Sequence, residues 1–182
     1  MPIYISLLRG INVGGRKRIK MEQLRASFEA LGLDQVQTYI QSGNVIFKGA
    51  KLSPSKLSKQ IEERILSDFG FPVSVVSRTI DEMATTIGNN PFLKERGVDP
   101  EKLHVMFLSD APAAAALKRL AELTAAPEQS CCLGKDIYLY LPNGAGESIL
   151  MKKPLERLLS VVTTTRNWRT VNALHQMCQE CR

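Results

Sequence analysis

The strongest constraint on this chain is an order of periodicities. Within its first 80 residues, two-residue alternation and three-to-four-residue spacing succeed each other as strand, helix, strand, strand, helix, strand. Ile3-Tyr4-Ile5-Ser6-Leu7-Leu8 reads as a strand rich in β-branched residues. Met21, Leu24, Phe28 and Leu31 then share one helical face, and Gly32 stands where a left-handed helix stop belongs. Strand-like Val36–Ile40 and Val45–Phe47 flank the polar turn Gln41-Ser42-Gly43-Asn44. Ser53-Pro54 pairs a capping hydroxyl with a proline at the first helical position, opening a helix whose stripe is Leu57, Ile61, Ile65 and Phe69. Gly70 ends it, and Pro72–Val76 reads as a fourth strand.

This is the order of a split β-α-β, or ferredoxin-like, module. In such a module strands one and two run parallel with strand three antiparallel between them. The loop after strand one and the hairpin joining strands two and three therefore open at the same edge of the sheet. Thr79 and Glu82 have the spacing of a capping box, predicting a short helix to about Ile87, and a connecting loop follows to Pro100. The pattern then repeats. Leu103–Leu108 reads as a strand, Asp110–Leu123 as an Ala-rich helix, and Ser130–Leu133 with Ile137–Leu141 as a hairpin around Gly134-Lys135. Leu155–Leu159 reads as a helix, Val161–Thr163 as a short strand, and a last helix is predicted from about Asn167 to Gln179. The expected fold is α+β: two ferredoxin-like βαββαβ subdomains with an additional C-terminal helix. The expected pieces are a basic subdomain over 1–80, a helix and connecting loop over 81–102, and a second subdomain with the terminal helix over 103–182. No residue-level repeat joins the halves, so duplication is a topological expectation.

Charge separates the halves where topology does not. Residues 1–80 carry 12 Lys/Arg against 6 Asp/Glu, residues 81–182 carry 12 against 12, and the net charge of +6 thus belongs to the first half. Arg9, Arg16, Lys17, Arg18 and Lys20 fall in one stretch of 12 residues without an acid. Such a loop attracts anions because its field is locally uncompensated, unless it serves only to keep the surface solvated. Its Gly10-x4-Gly15-Arg16-Lys17 spacing approaches a phosphate-binding loop. The chemistry does not complete: arginine replaces the phosphate-contacting lysine, lysine replaces the metal-binding hydroxyl, and the helix starts late. A looser cradle of backbone N–H groups, or a turn that simply needs positive φ, both fit. Convergence with the Gln41–Asn44 turn makes Arg9, Asn12, Gly14, Gly15, Arg16, Lys17, Ser42 and Asn44 the candidate ligand-binding set.

Thr165, Arg166, Asn167 and Trp168 open the final helix and form a second candidate anion site, although a lone Trp there more often packs in a core. Tyr4 sits where an RNA-recognition module stacks a base, but Val45-Ile46-Phe47-Lys48 lacks that module's alternating aromatics. His175-x2-Cys178-x2-Cys181, with Cys131-Cys132, has ligand-like spacing, yet vicinal cysteines make poor zinc partners, and no metal site and no cofactor are expected. The Cys178–Cys181 pair lies at a helix C-terminus, where the dipole raises a thiol's pKa. No Ser-His-Asp, Cys-His or paired-carboxylate arrangement stands out.

Leu8-Arg9-Gly10-Ile11-Asn12-Val13-Gly14-Gly15, Gln41-Ser42-Gly43-Asn44-Val45, Asn90-Pro91-Phe92, His104–Leu108 and Thr164–Trp168 occur in an order that resembles the bacterial family called domain of unknown function 1697. The resemblance spans nearly the whole chain and implies a pair of α+β subdomains with ferredoxin-like character. It implies no activity. Arg169 stands where the family pattern has Asn, and the C-terminal cysteines have no counterpart in it.

The sequence thus leads to an expected cytoplasmic protein, with neither a signal peptide nor a run of the roughly 20 apolar residues that spans a membrane. Its expected partner is a phosphate-bearing or other anionic ligand, with nucleic acid as one form of it. An enzyme acting on a phosphorylated small molecule at the same edge and a protein-interaction module are the alternatives.

Overall fold

The computed structural model describes residues 1–181. Its elements run β1 (Ile3–Leu8), α1 (Met21–Glu29), β2 (Asp34–Tyr39), β3 (Asn44–Lys48), α2 (Pro54–Phe69), β4 (Val75–Thr79) and α3 (Ile80–Gly88). Two short 3-10 turns follow at Pro91–Lys94 and Pro100–Lys102. Then come β5 (Leu103–Leu108), α4 (Ala114–Leu123), β6 (Gln129–Leu133), β7 (Asp136–Tyr140), α5 (Leu155–Leu159), β8 (Thr163–Asn167) and α6 (Trp168–Glu180). Two four-stranded antiparallel sheets result, ordered β2-β3-β1-β4 and β6-β7-β5-β8. The α+β fold with two βαββαβ units and a C-terminal helix is the one the periodicities require.

The local signals act through identifiable atoms. Ser53 Oγ accepts from the Lys56 amide at the start of α2, and Gly70 closes that helix at φ +75°. Thr79 and Glu82 form the reciprocal capping box at α3: the Thr79 amide donates to Glu82 Oε2 at 2.8 Å, and the Glu82 amide donates to Thr79 Oγ1 at 3.1 Å. On the helix side of the first sheet, Tyr4, Leu8, Val45, Phe47 and Val75 pack with Leu24, Phe28, Leu57, Ile61 and Ile65. Met106, Leu108, Ile137, Leu139, Leu120 and Leu155 form the corresponding cluster in the second half. A buried chain of hydroxyls, Ser6 to Ser77 at 2.7 Å and Ser58 to Ser77 at 2.9 Å, ties β1, β4 and α2 together.

The duplication invisible in side chains is written in backbone hydrogen bonds. Leu8 N–H donates to Gly43 O at 2.8 Å, and Leu108 N–H to Lys135 O at 2.9 Å. Arg9 N–H donates to Ser74 O and Ser109 N–H to Val162 O, both at 2.9 Å. Gly49 N–H reaches Pro2 O at 3.1 Å, as Leu141 N–H reaches Lys102 O at 3.0 Å. Each last strand passes straight into a capped helix, at Thr79 and again at Asn167, whose Oδ1 accepts from the Thr170 amide at 2.8 Å.

Two strand positions differ from the sequence reading in the same direction. The fourth strand is Val75–Thr79 instead of Pro72–Val76, and the eighth is Thr163–Asn167 instead of Val161–Thr163. Both strands continue through polar residues, Ser77-Arg78 and Thr164-Thr165-Arg166, of which only Thr165 is not buried. The polarity looked like the end of a strand, whereas pairing with β1 and β5 continues through it. By compactness, Met1–Ala84 groups with Ala173–Arg182, and Thr85–Asn172 makes the other unit, whereas the sequence reading drew its lines at 80 and 102. Among the described residues no helix is long and apolar enough to cross a membrane.

Candidate functional site

The loop between β1 and α1 and the turn between β2 and β3 meet at one edge of the first sheet. Gly43 is the hinge of that meeting. Its φ is +82°, and a Cβ there would lie 2.7 Å from Leu8 Cβ and 2.8 Å from Ile11 Cδ1, so no other residue fits. The loop closes on itself in a hairpin. The Arg16 amide donates to Val13 O at 3.1 Å, with Gly14 and Gly15 at φ +58° and +73° between them. Positive φ at both central positions is a type I′ turn, so these glycines serve the turn geometry.

Asn12 holds the whole edge together. Its Nδ2 donates to Ile19 O at 3.0 Å and to Gln41 O at 2.9 Å, and its Oδ1 accepts from the Ile19 amide at 2.9 Å. The side chain expected to touch a ligand is thus spent on joining the two ends of its loop and fastening them to the neighbouring turn. Asn44 is also internal: fully buried, it donates to Tyr39 O and to Ser42 Oγ, each at 2.9 Å. Ser42 faces that amide from a half-buried position. Both residues shape the turn from beneath.

The charged residues face outward. Arg9, Arg16, Lys17, Arg18 and Lys20 are all exposed. Lys17 Nζ reaches Pro72 O at 2.7 Å, so this cation braces the loop against the chain preceding β4. Partial desolvation draws the Arg9 guanidinium below its ordinary pKa. Beside the loop lies an open cleft of about 540 Å³ lined by Asn12, Gly15, Arg18, Ile19, Lys20, Gln23 and Gln41. Its lining offers two cations and three amide side chains, with no carboxylate, histidine or thiol. The cleft also meets the start of α1, where Lys20 contributes no side-chain cap to the first-turn N–H groups. Arg18, Lys20, Gln23 and Gln41 thus join the site. Lys20 belonged to the basic stretch, but Gln23 gave no sequence signal, since its role depends on which way α1 leaves the loop. Such a lining can hold and neutralise an anion.

The second candidate site does not open to solvent in the same way. Arg166 is buried, its guanidinium pKa pushed down to about 10 by that burial, and it donates to Thr164 Oγ1 at 2.8 Å and Thr165 O at 2.9 Å. Trp168 is buried as well, and Asn167 caps α6. Thr165 is half-buried. Arg78 occupies the matching place in the first sheet, one residue before the capping Thr79, and is also buried. Sequence reading missed it because a single arginine in a strand carries no pattern.

Tyr4, the residue that an RNA-recognition module would present to a base, packs against Phe47 at 5.9 Å, and its hydroxyl bonds Leu52 O at 2.9 Å. It belongs to the core. Burial, with Cys181 nearby, pushes the Cys178 thiol up to about 12, so the upward shift expected from the helix end arises chiefly from desolvation. Among the described residues no three His, Cys, Asp or Glu side chains gather as a metal ion requires.

The model of a protein family of unknown function, DUF1697, matches residues 1–138. The chain belongs to the DUF1697 family. Its matched span includes the glycine-rich loop, the Gln41–Asn44 turn and the Asn90-Pro91-Phe92 segment, while Thr164–Trp168 lies beyond it. No curated protein matches. Among solved structures, the chain is similar to conserved bacterial protein SP0830 from Streptococcus pneumoniae, with 26% identity and a TM-score of 0.76. That likeness covers 97% of this chain and 98% of the other, so the two-sheet DUF1697 architecture is common to both.

Proposed function

We propose that this protein binds a phosphate-bearing small molecule in the cleft between the β1–α1 loop and the β2–β3 turn. One observation carries the reading: the cleft of about 540 Å³ is lined by Arg18 and Lys20 with amides and no acid. A volume of this order suits a ligand of nucleotide size, and uncompensated cations at a concave surface concentrate anions. The start of α1 adds favourable dipole at the same place. Exposed Arg9 and Arg16 extend positive charge outside the cleft and favour a second reading, in which the same edge holds a polynucleotide.

Sodium tripolyphosphate titrated calorimetrically into the full chain tests the first reading, with Arg18→Gln/Lys20→Gln as the paired variant. Wild type should bind, and the variant should bind about ten-fold or more weakly while melting at nearly the same temperature. Absence of binding to wild type, or equal affinity in the variant, overturns the site. A dT12 oligonucleotide that binds more tightly than tripolyphosphate, with an affinity falling steeply as salt rises, favours the polynucleotide.

A further inference from the structure

The β2–β3 turn makes two unfavourable choices at a single residue. Ile40 has φ +50°, a left-handed conformation that crowds a β-branched side chain against its own backbone. Among the described non-glycine residues with positive φ, which are Asn12, Lys17, Gln35, Ile40 and Ser160, Ile40 alone is β-branched. Its side chain gains little in compensation, because the residue is 51% exposed. Glycine or asparagine would sit there with less strain and without showing apolar surface to water. Strain of this kind persists where the surrounding structure enforces it, and it clusters at ligand-binding and active sites.

Location points the same way. Ile40 directly precedes Gln41, and Val13, 66% exposed, directly follows Asn12. The Asn12 side chain bonds the Gln41 carbonyl at 2.9 Å and both residues line the basic cleft, so these two exposed aliphatic residues are the immediate chain neighbours of its wall, one on each side of a single joint. The edge therefore presents cations, amides and apolar surface together. A bare anion uses only the first. A nucleoside phosphate uses all three, through its phosphates, the polar edge of its base and the apolar faces of that base.

We propose that the ligand of this cleft is a nucleoside polyphosphate whose base rests on Ile40 and Val13 while its phosphates meet Arg18 and Lys20. This rests on the anion-binding reading of the same cleft and adds the class of ligand to it.

The test compares ATP, UTP, sodium tripolyphosphate and dT12 by calorimetry on the full chain. ATP and UTP should bind about ten-fold more tightly than tripolyphosphate, the worth of covering a modest apolar patch. Ile40→Asn and Val13→Ser should each narrow that preference, and the double variant should abolish it with tripolyphosphate affinity unchanged. Ile40→Asn should also raise the melting temperature by about 2 °C as the turn is relieved, which separates loss of contact from loss of fold. Equal affinity of wild type for ATP and tripolyphosphate overturns this proposal and leaves the anion site standing. No binding of either overturns both. A nucleotide preference that survives the double variant overturns the role of Ile40 and Val13, and dT12 as the tightest ligand overturns the assignment to a small molecule.

Discussion

The connection from β1 to α1 and the connection from β5 to α4 occupy the same place in two repeats and share almost no chemistry. The first is 12 residues long and carries five cations without an acid. The second is the short stretch Ser109–Ala113, which carries one acid and no base. Beneath them the backbone is the same: Leu8 and Leu108 bond the adjacent hairpin turns at 2.8 and 2.9 Å, and the next residue bonds the chain leading into the last strand in both. The short loop spends its polar groups locally, with Ser109 Oγ accepting from the Val162 amide and Asp110 from the Ala111 amide. The long one keeps its five cations at the exposed surface, with Lys17 reaching Pro72 O at 2.7 Å. One frame thus supports a closed connection in one copy and an open, charged one in the other, as expected where function is grafted onto loops held by a fixed scaffold.

The sharpest way to break that comparison is at the two hairpin turns. Gly43→Ala places a methyl group 2.7 Å from Leu8 Cβ at a positive φ, and should cost about 3 kcal/mol or more. Gly134→Ala in the matching turn meets nothing within 4 Å, and with only its φ of +62° to oppose it should cost about 1 kcal/mol. Urea unfolding of both variants measures the gap, and equal losses would mean the first edge is no more tightly closed than the second.

Next in size is the pair Asn12→Ala and Asp110→Ala. Asn12 makes three hydrogen bonds across the long loop, whereas Asp110 bonds the Ala111 amide. Expected losses are about 2–3 kcal/mol and at most about 1 kcal/mol respectively. A mild effect at Asn12 would show that the loop keeps its shape by other means.

The smallest contrast concerns pH. Tyr4 and His104 hold matching positions on β1 and β5, opposite Thr79 and Asn167. Burial lowers the His104 pKa from 6.5, so the unfolded chain takes up that proton first. The stability that neutral His104 contributes is complete above pH 6.5 and drains away as pH falls towards its folded value. The slope cannot exceed that of one proton, about 1.4 kcal/mol per pH unit. His104→Tyr should flatten it when unfolding midpoints are compared at pH 7.5 and 5.5, and an unchanged slope would assign it to another group.

Much of this was legible in the chain and some was not, for reasons that differ by residue. Ser53, Gly70 and the Thr79–Glu82 box act within a few residues of themselves, so their roles follow from spacing. The meeting of the basic loop with Gln41–Asn44 followed from strand order alone. Asn12 and Asn44 looked like ligand contacts because an amide's partner is set by tertiary approach, which sequence does not record. Arg78 fell outside the expected fourth strand and Arg166 at the expected start of the last helix, because a charged residue reads as exposed whereas both are buried within strands. The exposure and strain of Ile40 were hidden for the opposite reason: an isoleucine after a tyrosine reads as more strand.

The Asn12 latch also governs how this loop meets proteases. Arg16, Lys17 and Arg18 are three consecutive trypsin sites on an exposed tip, which by accessibility alone ought to be cut at once. A protease must draw its substrate into an extended segment, and Asn12 bonds both the amide and the carbonyl of Ile19, pinching residues 12–19 into a ring too tight to extend. Cleavage therefore waits for the latch to open, and the nicking rate reports the local opening equilibrium instead of surface exposure. Anything seated in the neighbouring cleft, whose wall includes Asn12 and Ile19, holds the ring shut and lengthens the life of the intact chain.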